Sequence, residues 1–205
     1  MGYFLAGKSR LLIVGGPNGS GKTTVAMQFA AAESIEYIGA DAIAAAINPA
    51  NPSGARVAAG RKFVQAIDEA ITAGRSCVVE STLSGRSLGN HLRKACLHGY
   101  EVTIVFVFVD SVDVCIARIV ERVRKGGHDV PVADIRRRYG RSIRNFWAFY
   151  RELADSWVVL YNGSDRIQDV SVGSRYELTV RDAALHQTFL TLVGSLDDQK
   201  TWPDS

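Results

Sequence analysis

Long apolar runs, cysteine and charge of one sign are all scarce in this 205-residue sequence, and each shortage closes off a class of protein. No apolar run approaches the roughly 18 residues that a membrane-spanning helix needs. The three cysteines, Cys77, Cys96 and Cys115, are widely separated and sit in strand-like or helix-like apolar contexts. They offer neither metal-ligand spacing nor the even count of a disulfide framework, so reduced core thiols are expected. Residues Met1 to Leu5 lack the apolar core and small-residue cleavage site of a secretory leader. Ala6 stands where N-myristoylation expects Ser or Thr. The expectation is a cytoplasmic protein. Hydrophobic residues at 47% and charged residues at 22% are ordinary for a globular chain, and the length suits one domain with a sizeable core. With no repeat, low-complexity tract or linker, residues 1–196 read as a single domain followed by a polar tail over 197–205.

What is present is concentrated near the N-terminus. Gly16-Pro17-Asn18-Gly19-Ser20-Gly21-Lys22-Thr23 fills every position of the pattern G-x-x-x-x-G-K-T. An apolar run, Leu11 to Val14, precedes it, and the helix-like Thr24 to Ala30 follows. Strand, loop and helix in that order are the context in which this pattern cradles a polyphosphate. Glycines let the backbone wrap closely around the anion, and its N–H groups together with the positive helix end face it. Lys22 supplies a mobile charge for the β- and γ-phosphates, and Thr23 a hydroxyl ligand for Mg²⁺. Residues Gly16 through Thr24 are therefore predicted to bind ATP.

Strand-like and helix-like segments alternate downstream, which predicts a three-layer α/β fold: a P-loop NTPase architecture with a mostly parallel five-stranded core sheet and a helical lid. Strands are expected at Arg10–Val14, Glu36–Ile38, Ser76–Ser81, Glu101–Val109 and Trp157–Tyr161. The fourth is the most apolar and should be central. Helices are expected from Gly21 to Glu33, Asp41 to Ile47, Ala55 to Ala73, Ser87 to His98, Val112 to Lys125 and Val132 to Ala154. A short β-like piece and a helix near Arg181 to Val193 should complete the domain.

Net charge is only +3, yet between Arg118 and Arg144 nine Lys or Arg face three acidic residues. Arg118, Arg122 and Lys125 recur at helical spacing, away from the apolar face Val112, Ile116, Ile119 and Val123. Arg137, Arg141 and Arg144 do the same on the next helix. Two basic helices joined by Gly126-Gly127 read as a hinged lid over about 118–144 that neutralises phosphate charge during transfer. Arg118, Arg122, Arg138 and Arg141 are the residues expected to face inward. Arg118 is assigned to the nucleotide, Arg122 and Arg138 to catalysis, and Arg141 to the substrate.

No Asn/Thr-Lys-x-Asp element for guanine recognition is present. Asp41 follows the second strand-like piece, and Glu80 ends the third, at the sheet edge where open α/β folds bind ligands. Two carboxylates beside a triphosphate suit a hydroxyl acceptor, one taking its proton and one fixing the substrate. Thr82 is counted with the substrate residues. Asp41 could alternatively cap the helix that follows it. Asp110 closes the most apolar strand as a Walker B aspartate would, but Ser111 follows in place of Glu, and a helix cap at Asp110 or Ser111 is favoured. Leu83-Ser84-Gly85-Arg86-Ser87 matches only the start of an ABC-transporter signature and reads as the cap of the next helix.

These residues resemble the zeta-toxin family of P-loop kinases, in its short chromosomal form. The carriers are residues 16–24, Ala40-Asp41 with Ile47-Asn48-Pro49, Val79 to Gly85, Arg122 to Pro131, Ile135 to Tyr139, and Tyr161-Asn162. They run in the family's order from about residue 10 to 165. The resemblance implies that Lys22 binds phosphate, that Asp41 is the general base and that Glu80 contacts a sugar substrate. It further implies that lid arginines stabilise the transferred phosphate. The best-known members phosphorylate the 3′-hydroxyl of UDP-N-acetylglucosamine, and the toxins imply an antitoxin protein. The chain departs from the plasmid toxins in its shorter length and its Gly-Gly-His-Asp-Val-Pro loop. Two other functions fit the motifs: a nucleotide-switch ATPase acting through a protein partner, and a polynucleotide 5′-hydroxyl kinase, which the small net charge does not favour.

Overall fold

The computed structural model describes residues 7–127, 129–163 and 166–197. The polar tail beyond residue 197, His128 of the Gly-Gly loop and Ser164 of the turn after the fifth strand lie outside them. The sheet is built from β1 (Arg10–Gly15), β2 (Glu36–Gly39), β3 (Cys77–Ser81), β4 (Glu101–Phe108), β5 (Ser156–Tyr161), β6 (Gln168–Ser174) and β7 (Leu178–Val180). Its order is β2-β3-β1-β4-β5-β6-β7. The first five strands are parallel, as expected, and β6 and β7 extend that core antiparallel.

Helices α1 (Lys22–Glu33), α2 (Ala40–Ile47), α3 (Arg56–Thr72), α4 (Leu88–Leu97), α5 (Val112–Arg124), α6 (Val132–Asn145) and α7 (Ala183–Asp197) connect and cover the strands. Alternating residues of β1 divide the core in two. Leu12 and Val14 meet Val25, Ala26 and Ala30 of α1 on one face. Leu11 and Ile13 join the larger cluster that holds Ile67 of α3, Leu92 of α4, Ile143 of α6 and Phe189 of α7. Every side chain of β4 from Val102 to Phe108 is buried, because helices cover both faces of this strand.

Several elements differ from expectation. The helix after Pro131 does not stay α-helical to Ala154. It passes into a π-helical turn, Phe146–Tyr150, and a 3₁₀ turn, Arg151–Leu153. The wider turn keeps Phe146 and Tyr150 buried and stacks Phe146 on Phe106, with centroids 4.3 Å apart. Cys77 and Cys115 are buried, but Cys96 is exposed, because it falls beside the apolar stripe of α4 rather than on it. Val123, expected on the apolar face of α5, is 38% exposed. Gly126 (φ 84°) ends α5, with its N–H and that of Gly127 returning to Val123 O and Arg122 O at 2.9 Å. The Gly-Gly pair is thus a helix stop of the Schellman type. Among the described residues no helix is long and apolar enough to cross a membrane.

Candidate active site

β1 runs straight into the phosphate loop, and α1 begins at Lys22. Gly19 (φ 80°) and Gly21 (φ 95°) occupy left-handed conformations that ordinary residues resist. A side chain on Gly19 would also strike the Cys115 carbonyl oxygen, 2.6 Å from its Cβ position. No side chain caps α1, so its first amide groups remain available to an anion. Lys22 is buried and donates through Nζ to Pro17 O at 2.7 Å. Burial pulls its pKa down, and Glu80, Cys115 and Asp41 oppose that pull while Arg122 adds to it. Pro17 and Ser20 present carbonyls rather than side chains: Asn162 Nδ2 donates to Ser20 O at 2.9 Å, tying the end of β5 to the loop.

A cavity of about 510 Å³ opens at the carboxyl ends of the parallel strands, where open α/β sheets bind ligands. The loop side contributes Asn18, Gly19, Gly21, Lys22, Thr23 and Thr24. Asp41, Glu80 and Thr82 line the same space, as do Arg118, Arg122 and Arg138. The fold therefore gathers most of the residues singled out from sequence. Gly16, Pro17 and Ser20 do not line the cavity and instead form the underside of the loop. Arg141 is not brought to the cavity either; it is exposed to solvent. The reason is helical phase. Arg138 and Ser142, four residues apart, share the face of α6 that meets the segment just after β3, where the Ser142 hydroxyl donates to Thr82 O. Arg141 is turned aside from that face. Arg137, also placed in the repeating row, pairs with Asp134 at 2.7 Å on the exposed side.

Asp41 sits in the first turn of α2, whose N-cap is Gly39. A carboxylate there is favoured by the helix dipole, yet it is not the cap. Glu80 is held at both oxygens: Thr23 Oγ1 donates to Oε1 at 3.0 Å, and Tyr37 OH to Oε2 at 2.5 Å. The donor set is oxygen only, a hydroxyl with carboxylates nearby, which suits a hard cation such as Mg²⁺ shared with nucleotide oxygens. Ser111, not Asp110, caps α5, accepting from Asp113 N at 3.1 Å. Asp110 lies beside the Tyr161 hydroxyl, whose pKa is raised by burial and then by that carboxylate. Ser87 occupies the N-cap position of α4 without a side-chain capping bond.

The cavity also includes Ala40, Phe63, Ser81, Ile119 and Asn162, to which the sequence reading assigned no site role. Asn162 closes the last parallel strand, so its position at the sheet edge was the available signal. Phe63 shared the helical spacing of the core residues of α3, and nothing local distinguished it from them.

Residues 11–141, more than half of the chain, match the family described as AAA domain (AAA_33). An uncharacterized protein of Haemophilus influenzae is 37% identical over 124 residues, covering 60% of this chain and 88% of that protein. The AvrRxo1-ORF1:-ORF2 structure with ATP superposes at a TM-score of 0.71 and 14% identity, over 96% of this chain. This chain spans only 66% of the length of that one. The Streptococcus pneumoniae PezAT toxin–antitoxin structure gives 0.62 at 14% identity, covering 97% of this chain and 91% of that one. A gluconokinase from Sinorhizobium meliloti gives 0.50 at 18% identity, covering 93% and 94%. At these identities the structural likeness is one of fold. The chain belongs to the AAA domain (AAA_33) family, with a P-loop kinase-like fold.

Proposed function

We propose that this protein is an ATP-dependent kinase that transfers the γ-phosphate to a hydroxyl of a small acceptor. The observation that carries the reading is one cavity lined by the phosphate loop, by Asp41 and Glu80, and by Arg118, Arg122 and Arg138. Lys22 and the loop amides hold the triphosphate. Asp41 takes the acceptor proton as the acceptor oxygen bonds to the γ-phosphorus and the bond to the ADP oxygen breaks. Arg122, whose charge is felt by Lys22, and Arg138 meet the transferring oxygens, where planar donors are most effective. Mg²⁺ bound at Thr23 would neutralise charge on the β- and γ-phosphates.

The acceptor class rests on the residue pattern 79–85 and on the pair of carboxylates. A nucleotide sugar such as UDP-N-acetylglucosamine is the first acceptor to try, and simple sugars and polyols are the second group. PezAT is named as a toxin–antitoxin system and AvrRxo1-ORF1 with a second protein; a protein inhibitor of this chain belongs to the same proposal. The test is incubation with γ-labelled ATP and a panel of both acceptor groups, with products identified by mass. A phosphorylated acceptor is expected. Inorganic phosphate alone would favour a nucleotide-switch ATPase, and labelled oligonucleotide in a parallel arm would favour a polynucleotide kinase.

A further inference from the structure

One polar side chain at the site belongs to no motif. Tyr37 lies on β2, next to β3, in a register that sets Gly39 beside Glu80. Its hydroxyl reaches Glu80 Oε2 at 2.5 Å while the Thr23 hydroxyl reaches Oε1 of the same carboxylate at 3.0 Å. Gly39 makes this possible: a Cβ there would lie only 2.6 Å from Tyr37 Cζ and would displace the ring. The ring packs against the cluster that includes Val14, Val25 and Ala26, so its direction is fixed by the core. Burial, followed by the bond to Glu80, raises the phenol's pKa, and it remains a proton donor throughout the neutral range.

We propose that Tyr37 is a positioning residue for the cation–nucleotide site, fixing Glu80 so that its other oxygen orients the Thr23 hydroxyl toward a divalent cation on the triphosphate. A hydroxyl has one hydrogen and two acceptor lone pairs. With its hydrogen committed to Glu80 Oε1, Thr23 directs lone-pair density to the cation. The last torsion of a glutamate is broad and weakly held by itself, so a second donor is needed to lock the carboxylate plane. The short bond from a neutral phenol to a carboxylate is of the strong, charge-assisted kind. Glu80 then serves the cation's surroundings through this pairing, in addition to the acceptor contact that the sequence resemblance implies. This inference rests on the kinase reading for its biological setting, but its geometry concerns nucleotide and cation alone.

The test uses the full chain, Mn²⁺ as the probe and a non-hydrolysable ATP analogue, with free Mn²⁺ read by electron paramagnetic resonance. Tyr37→Phe is expected to weaken Mn²⁺ binding to the enzyme–nucleotide complex about tenfold, the lower range for loss of a supporting contact around a metal. Nucleotide affinity in EDTA should not change. Glu80→Gln should weaken Mn²⁺ as well, and the double variant should be no weaker than Glu80→Gln alone, because Tyr37 acts through Glu80. Unchanged Mn²⁺ affinity in Tyr37→Phe, additive losses in the double variant, or an equal loss of nucleotide affinity in EDTA would overturn the proposal. If Tyr37→Phe fails to fold, Glu80→Gln decides: weaker Mn²⁺ binding with unchanged nucleotide affinity in EDTA supports it, and unchanged Mn²⁺ affinity overturns it. The titration needs no turnover, so absence of transfer to every acceptor would sink the kinase reading while leaving this result readable.

Discussion

The two ends of the cavity are held in opposite ways. At the phosphate end the contacts are buried or backbone-bound: Lys22 to Pro17 O, Asn162 to Ser20 O, and Gly19 against the Cys115 carbonyl. At the end formed by α5 and α6 the cations lie in exposed or half-exposed ion pairs. Arg137 and Arg138 share Asp134, Arg136 pairs with Asp113, and Lys125 pairs with Glu121. Such surface pairs contribute only about 0–1 kcal/mol each and exchange partners easily. The phosphate end is thus already held in place, whereas on the proposed kinase reading Arg138 would have to trade Asp134 for phosphate oxygens. Preorganisation stabilises charge without rearrangement in the first region, and replaceable pairing would permit the proposed closure in the second. The later part of α6 is anchored, because Tyr139 OH donates to Val109 O at 2.8 Å and Asn145 Nδ2 to Leu83 O at 3.0 Å.

The largest expected effect lies at the rigid end. Lys22→Ala should reduce phosphate transfer by about a thousandfold or more, since the buried cation of the phosphate loop is lost. A steady-state assay, with circular dichroism to verify folding, checks this. Near-normal turnover would mean that the loop is not where transfer occurs.

Next comes Asp41→Asn, which keeps the shape and removes the proton acceptor. The rate constant kcat should fall about a hundredfold, the low end for general base catalysis, while ATP affinity by calorimetry is retained. A fully active variant would reduce Asp41 to a helix-dipole partner.

How far these residues can be read without the fold differs between the two ends for a physical reason. The phosphate loop is one contiguous stretch, so its strand, glycines and helix define one another locally. Asp41, Glu80 and Thr82 are legible because strand ends in a parallel sheet point to a common edge. The arginine-bearing helices are another matter. Helical spacing groups Arg137, Arg141 and Arg144, but it carries no information on which face docks, and docking through Ser142 and Tyr139 selects Arg138 instead. Tyr37 and Asn162 bond to partners 43 and 142 residues away; no local pattern reveals either pairing, although the strand end marks the place of Asn162. The π-helical turn at Phe146 and the three-residue strand β7, exposed along its length, likewise depend on tertiary contacts for their form.

The lid comparison sharpens in a series of Arg→Lys variants, which keep charge but lose the planar fork. Arg122→Lys and Arg138→Lys should lower kcat about tenfold, whereas Arg137→Lys and Arg141→Lys should leave it within about twofold. Equal behaviour of all four in parallel kinetic assays would erase the distinction between inward and outward arginines. A smaller effect is expected where the rigid end is tied to β5. Asn162→Ala removes one half-buried hydrogen bond worth about 1 kcal/mol. It should raise the KM for ATP about threefold to tenfold with little change in kcat. A fall in kcat alone would show that Asn162 touches the reaction rather than the loop.

The central claim is that one preorganised cavity binds ATP and passes its γ-phosphate to a hydroxyl through Asp41. The most direct measurement is a single-turnover experiment with γ-labelled ATP and a responsive acceptor, run on the native chain, Lys22→Ala and Asp41→Asn. The account predicts that label moves to the acceptor in the native chain and stays on ATP in Lys22→Ala. In Asp41→Asn it should move only slowly, although ATP is fully bound. Transfer at equal rates in all three proteins, or label released only as inorganic phosphate, would contradict it.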